Sequence, residues 1–141
     1  MTRHCFTYGS LMWADIMSRV VGAPVSAEPA WLDGHARHPV RGEDYPGLQA
    51  APGQRVEGRL YRDLGDAAWP RLDAFEGAEY ERMVVQVEVA GGRREAAWVY
   101  RFRGDPAARL LPGDWDVSAF EREGRARFLS GYAGFSAIDP A

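Results

Sequence analysis

The segment that most constrains the fold is "YERMVVQVEVAGGRREAAWVYRF", residues 80–102. Met83, Val85, Val87 and Val89 recur at every second position, the period of a strand with one apolar face. "GGRR" is a hairpin signal, and "EAAWVYRF" is the returning partner.

The rest of the chain is organised around that hairpin. "HCFTY", residues 4–8, is aromatic-rich and strand-like. In "WADIMSRVVG", Trp13, Ile16, Met17 and Val20 lie at helical spacing, and Gly22 with Pro24 forms a stop signal. Residues 30–41 suggest a strand interrupted near Gly34, as by a bulge. "EDYPGLQAAPGQ" is expected to be loop with a short extended piece. "RVEGRLYRDL" alternates Val56, Gly58 and Leu60 against Glu57, Arg59 and Tyr61, as a strand does. Residues 65–77 predict a short helix with Asp66 as N-cap, Pro70 in its first turn and Gly77 just past its end. "GDPAARLLPGDW" is expected to be loop. A last helix is expected near 117–130, capped by Asp116 or its neighbour, with Val117, Phe120, Phe128 and Leu129 inward. This order is α+β rather than alternating βαβ units. It points to one domain over residues 1–141, a small barrel or curled sheet with helices packed outside it or across its ends. Strand order cannot be read from the pattern.

A chain of 141 residues with 46% apolar residues can bury roughly 70% of its unfolded surface, so it needs no metal or disulfide to fold. The net charge of −3 argues against a general nucleic-acid binder. All seventeen basic residues are Arg, which excludes Schiff-base chemistry on Lys. Cys5 is the only cysteine, so no internal disulfide forms. "MTRHCFTYGS" lacks a signal-peptide core, and no apolar run reaches membrane-spanning length. The expectation is a soluble cytoplasmic protein.

No nucleotide-binding glycine loop and no GxSxG occur. Ser10 as a nucleophile would need a base from His4, His35 or His38; a turn serine is the simpler account. His35 and His38 point to opposite faces of a strand, with no further ligand to complete a metal set. Two segments rise above this background. Tyr8-Gly9-Ser10-Leu11 joins a strand to a helix, and its backbone N–H groups can hold a carboxylate or an oxyanion. Equally, it can be a plain turn. In "LDAFEGAEYERMVVQV", Glu76 sits at a helix C-terminus, where unpaired carbonyls disfavour a carboxylate. It is either a solvated loop carboxylate or one whose pKa is raised toward neutrality for proton transfer.

Taken together, "YGSLM", "YPGL", "VEGRLY" and "LDAFEGAEYERMVVQV" resemble the γ-glutamylcyclotransferase-like superfamily. The closer likeness is to its small avirulence-induced-gene-like and γ-glutamylamine cyclotransferase branch. The resemblance runs from about Phe6 to Phe102. It implies a small mixed β-barrel with flanking helices, needing no cofactor or metal. It also implies a transferase or lyase reaction in which the substrate's α-amine attacks its own γ-carbonyl, giving 5-oxoproline and a free amine. Glu76 becomes the catalytic residue and Tyr8, Gly9, Ser10 and Leu11 the substrate-cradling loop, with Tyr80 and Arg82 as further substrate-binding neighbours. The implied partner is a small γ-glutamyl compound, with neither nucleic acid nor membrane; no oligomeric state is implied. Leu11 stands where larger glutathione-cleaving relatives often have Asn, so no single substrate is implied. Strand parity sets Tyr80 and Arg82 opposite to Met83, Val85 and Val87, which turns them out of a barrel unless the strand bulges or starts later. The rivals are a non-catalytic carboxylate-binding protein on the same scaffold, an interaction protein, and an amide hydrolase.

Overall fold

The computed structural model describes residues 2–138. β1 (Cys5–Thr7) leads through a 3-10 turn (Ser10–Met12) into α1 (Ala14–Val21). β2 (Ala27–Pro39) and β3 (Pro46–Tyr61) follow, then α2 (Ala68–Glu76). β4 (Tyr80–Val89) and β5 (Arg94–Phe102) form the hairpin, and α3 (Pro106–Arg109) comes next. α4 (Val117–Ala119) passes through a π-helical turn, Phe120–Gly124, into α5 (Arg125–Gly131), and α6 (Gly134–Ile138) ends the described chain.

The strands close into a barrel in the order β1-β3-β2-β4-β5. β5 returns to β1 in parallel, Cys5 opposite Trp98, while the other pairings are antiparallel. Closure removes the exposed sheet edges that would otherwise template aggregation. The barrel interior is apolar: Phe6, Leu32, Leu48, Val56, Leu60, Val87, Val89, Ala97 and Val99 are all buried there, with Met83 and Val85 against them. A second core lies between the outer barrel face and the helices. It joins Met17 and Val20 of α1, Leu72 and Phe75 of α2, and Phe128 of α5 to Tyr61, Tyr80, Tyr100 and Phe102 of the strands. No helix among the described residues is long and apolar enough to cross a membrane.

The hairpin forms in continuous register from Tyr80 opposite Phe102 to Glu88 opposite Arg94. With no bulge in it, the parity conflict resolves one way: Tyr80 joins the outer core, opposite to Val87 and Val89. The expected irregularity at Gly34 is present, since the β2–β3 register shifts between Asp33 and His35.

Several expectations need correction. Residues 46–54 are not loop with a short extended piece but the first part of β3, paired with the distal half of β2, Pro39 opposite Pro46 and His35 opposite Ala50. Residues 52–55 are exposed, so no apolar alternation marks them. Pro52 falls in the four-residue excursion between Ala50 and Arg55 that faces Gly34, where it interrupts no ladder bond. Asp66 does not cap α2. Ala67 holds the cap position with no side-chain bond, and the Ala68 N–H donates to the Gly65 carbonyl instead. Asp66 is exposed and faces Arg3 at 3.4 Å. Within the expected loop, Asp105 caps the short α3 by accepting from the Ala107 N–H at 3.1 Å. Asp116 caps α4 as expected, accepting from the Ala119 N–H at 3.0 Å. The helix after it is not uniform, because the π turn inserts an extra residue. Phe120 and Phe128 thereby meet at 5.8 Å between ring centroids, while Val117 is left exposed rather than inward.

Candidate active site

Three motif segments converge where the barrel meets the helices. β1 ends at Thr7, and Tyr8 keeps the inward parity of Phe6: its ring is buried in the barrel and its hydroxyl donates to the Tyr100 carbonyl at 2.5 Å. The chain then turns. Gly9 is needed there for space, since a Cβ would stand 2.8 Å from Cδ of Pro46. The Pro46 carbonyl accepts from the Tyr80 hydroxyl at 2.7 Å. Thus "YGSL", "YPGL" and the start of β4 are locked together by one proline.

The turn presents its backbone N–H groups. Met12 donates back to the Gly9 carbonyl at 3.0 Å and Trp13 to the Ser10 carbonyl at 3.4 Å. The Ser10 and Leu11 N–H groups, at the head of the turn, find no acceptor among the described residues.

Glu76 is the last residue of α2. Gly77 accepts the reversal at φ +80°, ψ −167°, a conformation open essentially to glycine, and its N–H closes the helix on the Asp73 carbonyl at 3.1 Å. The Tyr132 hydroxyl donates to the Phe75 carbonyl at 2.6 Å and to that of Glu76 at 3.2 Å, satisfying orphan helix-end acceptors. Glu76 is half-buried, in surroundings dense enough to disfavour its charged form. Burial first, and the Asp73 carboxylate second, push that carboxyl up to about 8. No group among the described residues donates a hydrogen bond to it.

Glu76, Tyr8, Gly9, Ser10, Leu11 and Tyr80 line a single narrow pocket with a cavity volume of about 40 Å³, open to solvent at its mouth. Phe75, Tyr45, Tyr100, Phe128 and Tyr132 complete much of its wall. Burial holds the phenols of Tyr8, Tyr80, Tyr100 and Tyr132 above their ordinary range, so they stay protonated donors; Tyr45 is pushed up to about 12. No histidine lines this pocket, which removes the base that a Ser10 nucleophile would need.

Arg82 is not brought to the pocket. It lines a neighbouring groove with Asp73, Trp98 and Tyr100. Its guanidinium lies 4.9 Å from the Trp69 ring centroid and 4.5 Å from that of Trp98, and pairs with Asp73 at 3.1 Å. Tyr100, facing Arg82 across the hairpin, donates to the same carboxylate at 2.6 Å.

Asp73, Tyr100, Tyr45 and Tyr132 were not singled out from the sequence. Asp73 stands three residues before Glu76, on the same helix face. Tyr100 follows from the hairpin register, and Tyr45 adjoins the "YPGL" element. Tyr132 carries no local signal.

Known proteins share this arrangement of the chain. AIG2-like protein D of Arabidopsis thaliana is 30% identical over 128 residues, 88% of this chain and 82% of its own length. An Arabidopsis thaliana solution structure superposes with a TM-score of 0.72 at 23% identity, over 92% of this chain and 79% of its own. A solved gamma-glutamyl cyclotransferase superposes with a TM-score of 0.65 at 15% identity, over 74% of this chain and 68% of its own, which speaks to the fold alone. The family model described as gamma-glutamyl cyclotransferase, AIG2-like, matches residues 5–117, and the chain belongs to that family.

Proposed function

We propose that this protein is a γ-glutamyl cyclotransferase that converts a small γ-glutamyl amide into 5-oxoproline and a free amine. One observation carries the reading: Glu76, a carboxyl whose pKa is raised to about 8, shares a pocket with Ser10 and Leu11, whose backbone N–H groups have no acceptor among the described residues.

The chemistry follows from those groups. The substrate's α-ammonium gives a proton to the Glu76 carboxylate and becomes a nucleophile. Its nitrogen attacks the γ-carbonyl carbon of the same molecule, closing a five-membered ring. Holding the glutamyl chain folded supplies much of the acceleration, because the attack is intramolecular. The carbonyl oxygen becomes an oxyanion, and the Ser10 and Leu11 N–H groups stabilise it; losing one such donor typically costs about 10²–10³ in rate. The bond from the γ-carbon to the leaving nitrogen then breaks. Over the reaction the attacking nitrogen loses two protons and the leaving nitrogen gains two, and Glu76 serves as carrier between them. The surrounding phenols remain neutral donors and do not compete as bases.

The test is product analysis with a panel of γ-glutamyl amides. Release of 5-oxoproline supports the reading. Release of glutamate makes the protein a hydrolase. Binding of 5-oxoproline with no turnover of any panel member makes it a carboxylate-binding protein.

A further inference from the structure

Across a trans peptide the carbonyl oxygen and the following N–H point in opposite directions. Whatever holds the carbonyls of the Tyr8–Leu11 segment therefore aims the N–H groups that follow them. Gly9 and Ser10 have their carbonyls held by the turn itself, through Met12 and Trp13. The Leu11 carbonyl accepts from the Tyr61 hydroxyl at 2.7 Å. The Tyr8 carbonyl is held differently, by the Arg37 guanidinium, Nη1 donating at 2.8 Å.

Arg37 comes from β2 and is itself anchored. Nε donates to Asp114 Oδ1 at 2.9 Å and Nη2 to Oδ2 at 3.3 Å, a two-point grip that fixes the plane of the fork. The Trp115 N–H donates to the same Oδ1 at 2.8 Å, and the Trp115 indole donates to the Asp44 carbonyl at 3.0 Å. The Arg37 side chain is only 9% exposed although its carboxylate partner is 68% exposed, so its interaction is directed inward. Among the four carbonyl anchors of the segment, Arg37 is the one charged group; like Tyr61, it neither belongs to the turn nor lines the pocket.

We propose that Arg37 is a positioning residue of the site: by holding the Tyr8 carbonyl it fixes the peptide plane that ends in the Gly9 N–H, and so anchors the entry of the turn that carries the Ser10 and Leu11 N–H groups to the developing oxyanion. This rests on the cyclotransferase reading, in which that oxygen is the substrate γ-carbonyl and later the lactam carbonyl of 5-oxoproline. An effect through the oxyanion loop has a signature. It lowers kcat more than it raises KM, because the interaction strengthens in the transition state. It leaves the titration of Glu76 where it was.

The test compares wild type with Arg37→Met for kcat, KM and the pH profile, and for the amide NMR shifts of Gly9, Ser10 and Leu11 on titration with 5-oxoproline. The expected result is a kcat loss of roughly 10- to 100-fold, below or at the cost of a whole donor. KM should change much less, the pH inflexion should stay in place, and the response of the three amides to 5-oxoproline should be weakened. Wild-type kcat together with a wild-type amide response overturns the proposal, as does a kcat loss explained by a moved pH inflexion. Should wild type release no 5-oxoproline, the cyclotransferase reading fails by itself, and the amide response still decides the role of Arg37. Absence of that response in wild type overturns the role as well. If Arg37→Met does not fold, Asp114→Asn, at an exposed position, loosens the same grip. It should produce a smaller loss in the same direction, and unchanged values there overturn the proposal.

Discussion

The Tyr100 hydroxyl donates a 2.6 Å hydrogen bond to the Asp73 carboxylate, one helical turn before Glu76. Arg82 grips both oxygens of that carboxylate, Nε at 3.1 Å from the same Oδ1 and Nη2 donating to Oδ2 at 3.3 Å. Asp73 is thereby fixed in place beside a carboxyl that burial already disfavours charging. Replacing it with Asn removes the second cause of the raised Glu76 pKa and leaves the first. Asp73→Asn is expected to move the Glu76 inflexion in kcat/KM below about 8, yet keep it above the ordinary carboxylate value of 4.5. A pH–rate profile checks this, and an upward shift contradicts it.

The wild-type profile has its own sign. Glu76 must be ionised to accept the first proton, so kcat/KM rises with pH through an inflexion near 8. A bound substrate ammonium favours the carboxylate. The inflexion in kcat therefore falls below that in kcat/KM, and profiles measured with saturating and limiting substrate decide it.

Stability responds in the opposite sense. The folded-state pKa of Glu76 is raised, so between about 4.5 and 8 the folded protein binds more protons than the unfolded chain. The contribution is fully present below the unfolded pKa and is lost as pH rises through the folded one. Relative to Glu76→Gln, wild type should lose melting temperature from pH 5 to pH 9. Parallel curves for the two proteins contradict the raised pKa.

Gly9→Ala tests the contact that joins the loop to Pro46. The added Cβ would stand 2.8 Å from Cδ and 2.9 Å from Cγ of the proline, a ring that cannot swing aside. Overpacking of this kind costs about 1–3 kcal/mol. Denaturant unfolding should register that loss, and a wild-type midpoint would mean the loop relaxes freely.

Arg82 lies outside the pocket, beside Asp73 and two tryptophans, and a structural role is predicted for it. Lying over the adjoining rings of Trp69 and Trp98, its guanidinium makes cation–π contacts that an ammonium group does not fully reproduce. Arg82→Lys is expected to cost on the order of 1 kcal/mol in stability and to leave KM close to wild type. A large rise in KM with unchanged stability would instead put Arg82 against the substrate.

What was legible in the sequence follows how each element is buried. β4 has one apolar face and one mixed face, so its period of two is plain, and Gly77 marks the end of α2 because few other residues take its backbone angles. The first nine residues of β3 were not legible, since much of that ribbon is solvated on both faces and carries Pro and Gly. The Tyr8–Leu11 loop and Glu76 stood out locally with their alternatives open, and only the family resemblance joined them into one site. Arg37 was not, because its acidic partner lies 77 residues away and nothing local marks the pair. Tyr80 was located as a residue, but its face depended on a register that only the barrel supplies.

The most direct measurement of the central claim is 5-oxoproline release by Glu76→Gln. Gln keeps the size of the side chain and removes its proton chemistry. The account predicts a folded variant that releases 5-oxoproline at least about 10²-fold more slowly than wild type from any γ-glutamyl amide that wild type turns over. Undiminished release by a folded Glu76→Gln variant would contradict it.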